Sequence, residues 1–192
     1  MKAVFHDRFG SLDVLEMRDI DPPTPGPGEV LVRVRAAGVN PGDRHAVRGV
    51  PYAARLMGYG LTAPRHPVPG QDLAGHVEAV GPDTTRFAPG DEVFGWSHST
   101  FAELATAPEH ALRHKPGHLT FEQAAAAPTA AFAALQALRD VGRLQPGSTV
   151  LVVGASGGVG TIAVQVAKGL GATVTGVAST RNLELVRSTG AD

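Results

Sequence analysis

The first 119 residues of the chain consist of short apolar segments separated by turns. In Glu29–Ala36 (EVLVRVRA) every second residue is a valine, and this alternation predicts a strand with one buried face. Residues 21–28 (DPPTPGPG) are too rich in proline and glycine for anything but a turn or loop. Other segments with the length and composition of strands are Lys2–Phe5, Leu12–Met17, Gly75–Val80, Glu92–Phe94 and Phe101–Ala107. Short strands with frequent turns predict a small barrel or a partly open antiparallel sheet.

The pattern becomes helical at Thr120. Thr120 and Gln123 have the spacing of a capping box at a helix start, and alanine, the best helix former, dominates the residues that follow. Pro128 interrupts this segment because proline cannot continue a helix smoothly. We therefore expect two helical pieces, the second beginning near Thr129. The change of composition predicts a domain boundary, with residues 1–119 in one domain and residues 120–192 in the next.

Residues 149–180 predict a strand, a glycine turn, a helix and a second strand. Thr149–Val153 is a continuous apolar segment, suited to a parallel strand that is buried on both faces. After Gly158 the apolar residues recur at spacings of three and four, as on one face of a helix. Ala172–Thr180 has the composition of a second strand. This order of elements is that of the first half of a dinucleotide-binding unit.

The glycine turn is similar to the dinucleotide-binding fingerprint, which has glycine at its first, third and sixth positions. Those positions are Ala155, Gly157 and Gly160 here. The middle glycine lets the backbone approach a pyrophosphate, the last lets helix and strand pack closely, and free amides at the helix start favour an anion. A turn that binds nothing is the alternative, but the flanking elements favour a dinucleotide. The residues expected to contact it are Ala155, Ser156, Gly157, Gly158, Val159 and Gly160.

The end of the second predicted strand carries the residues that distinguish NADPH from NADH. Folds specific for NAD place an acidic residue about twenty positions past the glycine turn. Here the strand ends in Ser179, Thr180 and Arg181, and the next carboxylate is Glu184. Two hydroxyls and a guanidinium match the geometry of a 2′-phosphate, which predicts NADPH. The alternative is that Ser179 or Thr180 caps a helix while Arg181 is solvated.

The composition of the chain excludes several classes of protein function. It has 192 residues, of which 43% are apolar and 18% are charged, as in ordinary globular proteins. A net charge of −1 argues against nucleic acid or an anionic membrane as the main partner. The absence of cysteine excludes disulfides, thiol catalysis and cysteine-ligated zinc. No apolar run has the length of a signal-peptide core or a membrane span, so we expect a cytoplasmic protein.

Several motifs in the chain resemble those of one family, in the same order. They are AAGVNPGD at 36–43, PGQDLAGHVEAVG at 69–81, PGDEVFGW at 89–96, and PGSTVLV followed by GASGGVGTIAVQVAK in the second half. The chain thereby resembles the zinc-independent quinone oxidoreductases of the medium-chain dehydrogenase/reductase superfamily. The resemblance implies an α/β protein in which a GroES-like, mainly antiparallel β domain precedes a Rossmann domain. It also implies NADPH as cofactor, hydride transfer to a quinone, an enone or a related conjugated carbonyl, and a homodimer for a complete chain.

The resemblance also implies that the chain has no catalytic metal. Zinc-dependent members of the superfamily use a Cys near the GVNP segment and a His–Glu pair, where this chain has Asn40–Pro41 and Gln71–Asp72. Asp72 is expected to make hydrogen bonds within a turn rather than to act in acid–base chemistry. Three histidines recur at every fourth position: His110, His114 and His118. Because Pro116 and Gly117 lie among them, we expect a solvated loop here rather than one face of a helix.

Without a metal, the protein has to position the nicotinamide ring, polarise a carbonyl and exclude water. Asn40 matches the family's candidate donor to the substrate, with a turn residue held extended by Pro41 as the alternative. Tyr52 lies where tyrosines often line the family's site, with a packed or exposed loop aromatic as the alternative. Thr129 approaches the nicotinamide or caps its helix. Ala133 stands where the family often has a threonine, so one polar contact to the cofactor is expected to be missing.

The Rossmann half of the resemblance covers only the first two strands and helices. Residues 188–192 lie just before the third strand that the family would have. A parallel sheet of two strands is poorly stabilised alone. We therefore expect the 192-residue chain to show little or no activity by itself and to self-associate through its uncovered sheet surface. The alternative function is a truncated, catalytically incompetent nucleotide-binding fragment of such an enzyme.

Overall fold

The computed structural model describes residues 1–53 and 55–192, which form two compact units. The first unit is Met1–Pro128 and the second is Thr129–Asp192. The division lies later in the chain than the predicted boundary after residue 119. The first helix after Thr120 packs on the first unit, where Ala124 and Ala125 share a buried cluster with Ala74. Small side chains let this helix approach the sheet closely, which a change of composition does not reveal.

The first unit is built on antiparallel strands. Its strands are β1 Lys2–Phe5, β2 Glu16–Asp19, β3 Glu29–Gly38, β4 Asp72–Val80, β5 Glu92–Trp96, β6 Leu104–Pro108 and β7 Leu112–His114. Five of them form a sheet in the order β6-β3-β4-β5-β7, while β1 and β2 form a separate pair. Val30, Val32, Leu73, Val93 and Leu112 are fully buried and form the centre of its core. The helices of this unit are α1 Pro41–Arg48 and α2 Phe121–Ala125.

Three predictions for the first unit are wrong in detail. The predicted strand Leu12–Met17 is a 3₁₀ turn at Leu12–Val14 followed by β2. All residues of β2 are exposed, so no buried face determined where the strand begins. Asp72 is not a turn residue but the buried first residue of β4, paired with Trp96 of β5. His114 ends strand β7 instead of lying in a loop, because β5 extends far enough to pair with it.

The second unit contains a parallel pair of strands with helices around it. Its elements are α3 Pro128–Leu135, which begins in the first unit's last residue, then β8 Thr149–Val153, α4 Gly158–Gly169, β9 Thr173–Val177 and α5 Leu183–Ser188. Val152, Val164, Val174 and Val186 are buried together in its core. The prediction that β8 is buried on both faces is wrong, because Leu151 and Val153 are 63% and 76% exposed. Among the described residues of this unit, no helix or strand covers the face of β8 that carries Leu151 and Val153.

The predicted fold class is confirmed. A mainly antiparallel unit precedes a strand, glycine turn, helix and parallel strand, which is α/β architecture. Short turns of helix complete the described structure at Arg55–Tyr59, Glu109–Ala111, Gln136–Val141 and Thr180–Asn182. Within residues 1–53 and 55–192, no helix has the length and apolarity required to cross a membrane.

Candidate functional site

The glycine turn lies between β8 and α4 and is tied to the end of β9. Gly154 has a left-handed backbone with φ of 78°, a conformation that favours glycine. The amides of Gly154 and Ala155 both donate to the carbonyl oxygen of Val177, each at 3.0 Å. Gly157 is the N-cap residue of α4. Helix geometry leaves the amides of the first turn, at Gly158 to Gly160, without an intrahelical acceptor, so they form a site suited to an anion.

Gly160 is the glycine that the packing of this turn requires. A Cβ added there would overlap the carbonyl oxygen of Gly154 and lie 2.9 Å from the Cα of Ala155. A Cβ added at Gly158 would meet nothing within 4 Å. The close approach of helix and strand therefore depends on position 160, as the fingerprint predicts, whereas position 158 opens to free space.

Ala155 occupies the first position of the fingerprint without loss of the turn geometry. The left-handed residue is Gly154, one position earlier. Ala155 is fully buried, and a Cβ at Gly176 would lie 3.1 Å from the Ala155 methyl carbon. Ala155 thus packs in the core of the unit and has no surface to offer to a ligand. The contact to a dinucleotide predicted for Ala155 stays a prediction.

The loop after β9 is held beside the glycine turn by a side-chain hydrogen bond. The Nδ2 of Asn182 donates to the Oγ of Ser156 at 3.1 Å. Sequence analysis missed Asn182. The available signal was an asparagine directly after Ser179–Arg181, the residues predicted to bind the 2′-phosphate. Ser179, Thr180 and Arg181 are all exposed, and Ser179 precedes the turn Thr180–Asn182 without a side-chain capping bond. The alternative in which Ser179 caps a helix is therefore not adopted.

On the first unit, Asn40 lies at the start of α1 and joins two buried carboxylates. Its backbone amide donates to Oδ2 of Asp43 at 2.7 Å, and its Nδ2 donates to Oδ2 of Asp72 at 3.0 Å. Asp43 and Asp72 are 4% and 1% exposed. The network fixes the orientation of the Asn40 carboxamide. Asn40 has the extended backbone expected before Pro41, with φ of −115° and ψ of 155°, and it is the N-cap residue of α1. Its second N–H donor is the one that a substrate would use.

Asp43 is a candidate that sequence analysis missed. Burial raises the pKa of the Asp43 carboxyl above its ordinary value; the amide of Asn40 opposes this, and the nearby Asp72 adds to it. Asp43 also lines a cavity of about 460 Å³, together with Tyr59, Gln71 and Ser99. The signal in the sequence was that Asp43 lies three positions after Asn40, which is the spacing of a capping carboxylate from its N-cap residue.

The two remaining predicted contacts lie elsewhere. Tyr52 is 72% exposed and does not line this cavity; its ring lies 4.9 Å from the Arg55 guanidinium carbon. Thr129 is half-buried in α3. Tyr52 is therefore an exposed aromatic and Thr129 lies within α3, and the contacts proposed for both stay predictions.

The structure offers no clustered ligands for zinc in its described part. Between residues 1 and 192, residue 54 aside, no group of three His, Asp or Glu side chains is placed to hold a metal ion. We expect the purified protein to contain no stoichiometric zinc, because zinc sites need three or four such ligands. Elemental analysis checks this, and a chelator should leave NADPH binding unchanged. One tightly bound zinc per chain would contradict the prediction.

The family model for the alcohol dehydrogenase GroES-like domain matches residues 26–166. Human quinone oxidoreductase is 39% identical over 183 residues, covering 94% of this chain and 53% of that protein. Bovine mitochondrial NAD(P)H oxidoreductase RTN4IP1 is 38% identical over an alignment of 217 residues, covering 100% of this chain and 52% of that protein. The chain therefore spans about half the length of the curated relatives it matches.

Solved structures match the chain over its whole length. CurK enoyl reductase has a TM-score of 0.91 at 29% identity, covering 100% of this chain and 58% of that chain. Mycobacterial Rv1454c in complex with NADPH has a TM-score of 0.86 at 33% identity, covering 100% and 57%. The match therefore includes both the antiparallel unit and the unit with the glycine turn.

Proposed function

The chain belongs to the quinone oxidoreductase-like branch of the medium-chain dehydrogenase/reductase superfamily, and on this premise we propose that it serves an NADPH-dependent oxidoreductase. The reaction is a metal-free transfer of hydride to a quinone, an enone or a similar conjugated carbonyl. Relatives named quinone oxidoreductase, enoyl reductase and NAD(P)H oxidoreductase support this class of reaction.

The observation that carries the proposal is the fit of the second unit to NADPH. The amides at the start of α4 and the positive end of the helix dipole suit the pyrophosphate. Ser179, Thr180 and Arg181 are exposed beside the turn, to which Asn182 ties them through Ser156. They offer hydroxyl and guanidinium donors to a 2′-phosphate. When bound, NADPH supplies the hydride for the reaction.

The first unit provides the groups that act on the substrate in this proposal. Asn40 keeps one amide proton for a carbonyl oxygen while Asp72 fixes its orientation. A donor held in this way stabilises negative charge as it develops on that oxygen. Asp43 lines the cavity, and its raised pKa suits it to hold a proton near the reacting carbonyl. Tyr52 and Thr129 keep their predicted roles as substrate and cofactor contacts.

The remaining assignments are also proposals. The substrate is a small molecule, and neither nucleic acid nor a membrane is a partner. A homodimer is proposed for the complete enzyme. A cytoplasmic location is proposed for the protein; one relative is named as mitochondrial.

Two measurements test the proposed function. The 192-residue chain is titrated with NADPH, and the full-length gene product is assayed for NADPH oxidation with menadione and with ethyl vinyl ketone. We expect binding in the first and oxidation with at least one acceptor in the second. Absence of NADPH binding would contradict the cofactor assignment. NADPH binding without oxidation of either acceptor would instead favour the alternative, a nucleotide-binding protein without catalysis.

A further inference from the structure

Two histidine rings in the first unit are stacked face to face. The centroids of His66 and His98 are 4.2 Å apart and their planes differ by 7°. Trp96 contacts His98 edge-on, with centroids 4.7 Å apart and planes at 68°. The two histidines are 32 positions apart in the chain and meet because the segments before β4 and after β5 lie side by side, as the pairing of Asp72 with Trp96 shows. Neither histidine takes part in the network of Asn40, Asp43 and Asp72.

The stacked pair borders the cavity that contains Asp43. His66 and His98 line this cavity of about 460 Å³, and they also line a second cavity of about 380 Å³. Both side chains remain exposed. No other aromatic ring stacks on His66 in the part of the chain that the structure describes. The exposed His66 ring lines both cavities and is therefore accessible to a flat ligand, and a cavity of this size is in the range of small-molecule sites.

The electrostatics of the pair favour neutral rings. Partial burial lowers the pKa of His66, and the Arg65 guanidinium lowers it further. Partial burial likewise lowers the pKa of His98, with smaller contributions from His66 and Arg65. Both imidazoles are therefore mostly neutral near pH 7, so their stacking carries no repulsion between like charges. A neutral imidazole face attracts an electron-poor ring better than an imidazolium does, since aromatic stacking depends on the charge distribution of the faces.

Polar groups suited to a quinone lie in the same cavity. The Gln71 amide, the Ser99 hydroxyl and the Tyr59 phenol are among its lining groups, and each can donate a hydrogen bond to a carbonyl oxygen. A flat ring with carbonyl oxygens on its edge uses both features, the ring face and the donors. An open-chain enone has no ring to stack and uses only the donors.

We propose that His66 and His98 form a stacking platform for the ring of a planar quinone, and that this platform makes the site selective for cyclic quinones over open-chain enones. The inference rests on the proposed function, because it assigns the substrate class of the same cavity. Neither histidine needs to exchange a proton for this role. They hold and orient the acceptor ring.

The tryptophan beside the platform allows ligand binding to be measured without turnover. Trp96 is the sole tryptophan of the sequence; it contacts His98 and lines the second of the two cavities, so its fluorescence reports on a ligand that stacks on the histidine pair. The purified protein is titrated with menadione, a planar quinone that quenches tryptophan, and ethyl vinyl ketone is then tested for its ability to displace menadione. The variants are His66→Ala, which removes the ring, His66→Phe, which keeps a planar ring, and His118→Ala, which removes an exposed histidine that lines neither cavity.

We expect His66→Ala to weaken menadione binding by about 5- to 10-fold, the loss of one stacked ring pair. Binding of ethyl vinyl ketone should change less than about twofold in this variant, because open-chain ligands do not stack. His66→Phe should retain menadione affinity and His118→Ala should match the wild type. Circular dichroism confirms that each variant is folded.

Three results would overturn the inference, and they can be told apart. Unchanged menadione affinity in His66→Ala would remove the platform while leaving the proposed function intact. A loss in His66→Phe as large as in His66→Ala would show that the imidazole nitrogens bind the ligand rather than the ring face. A wild-type protein that binds NADPH but not menadione would refute the quinone substrate itself, and the platform with it.

Discussion

Replacement of Gly160 by alanine is expected to lower the free energy of unfolding of the unit Thr129–Asp192 by about 3 kcal/mol, near the upper end of what overpacking costs. The added Cβ would overlap the carbonyl oxygen of Gly154 and lie 2.9 Å from the Cα of Ala155. Both are backbone atoms, so no flexible side chain can move aside. Relief requires α4 to shift away from the strand, which also displaces the amides proposed to bind the pyrophosphate.

Gly158→Ala is the matched control for this prediction. It adds the same methyl group to the same helix, but there the Cβ meets nothing within 4 Å. We expect its stability to be unchanged or raised by up to about 1 kcal/mol, because alanine is the better helix former. Urea unfolding of both variants, with hydrogen exchange of the β8 and β9 amides, measures the difference. Equal stabilities would contradict the assignment of Gly160 as the close-packing glycine.

Arg181→Ala is expected to weaken NADPH binding about 10- to 100-fold, the 1.5–3 kcal/mol typical of hydrogen bonds to charged groups. Arg181 is exposed, and it forms no ion pair with another described residue. Its guanidinium is therefore free to bind the 2′-phosphate that distinguishes NADPH from NADH. NADH affinity should change little, since NADH lacks that phosphate.

Arg187→Ala is the control, because Arg187 is also exposed but lies in α5, away from the turn Thr180–Asn182. Calorimetric titration of each variant with both dinucleotides gives the four affinities required. If Arg181→Ala weakened NADPH and NADH equally, or if Arg187→Ala had the same effect, the phosphate would not be bound by Arg181.

The local parts of the fold were predictable from the sequence because they follow from short-range rules. The turn before α4 was placed correctly, since a glycine-rich segment between an apolar strand and a periodic helix has few alternatives. Helix α1 was missed because its start depends on Asn40, Pro41 and Asp43 rather than on apolar periodicity. Pro at the first position and a carboxylate at the third were visible, but Asn40 was interpreted as a substrate donor or as a turn residue rather than as a helix N-cap.

The features that depend on distant residues were not predictable. The buried Asp72 accepts a hydrogen bond from Asn40, 32 positions earlier in the chain. His66 and His98 meet only through the pairing of β4 with β5. Nothing in either local sequence indicates its partner. The exposure of Leu151 and Val153 likewise depends on which layers pack on β8, whereas the apolar run by itself predicts burial on both faces.

Backbone amide chemical shifts of the isotope-labelled protein, recorded during titration with NADPH and with NADH, test the central claim most directly. If the turn before α4 binds the pyrophosphate, both dinucleotides should shift the amides of Gly158, Val159 and Gly160. Only NADPH should produce large shifts at Ser179, Thr180 and Arg181, because only NADPH carries the 2′-phosphate. Unchanged amides at the start of α4, or equal shifts at Ser179–Arg181 with both dinucleotides, would contradict the account.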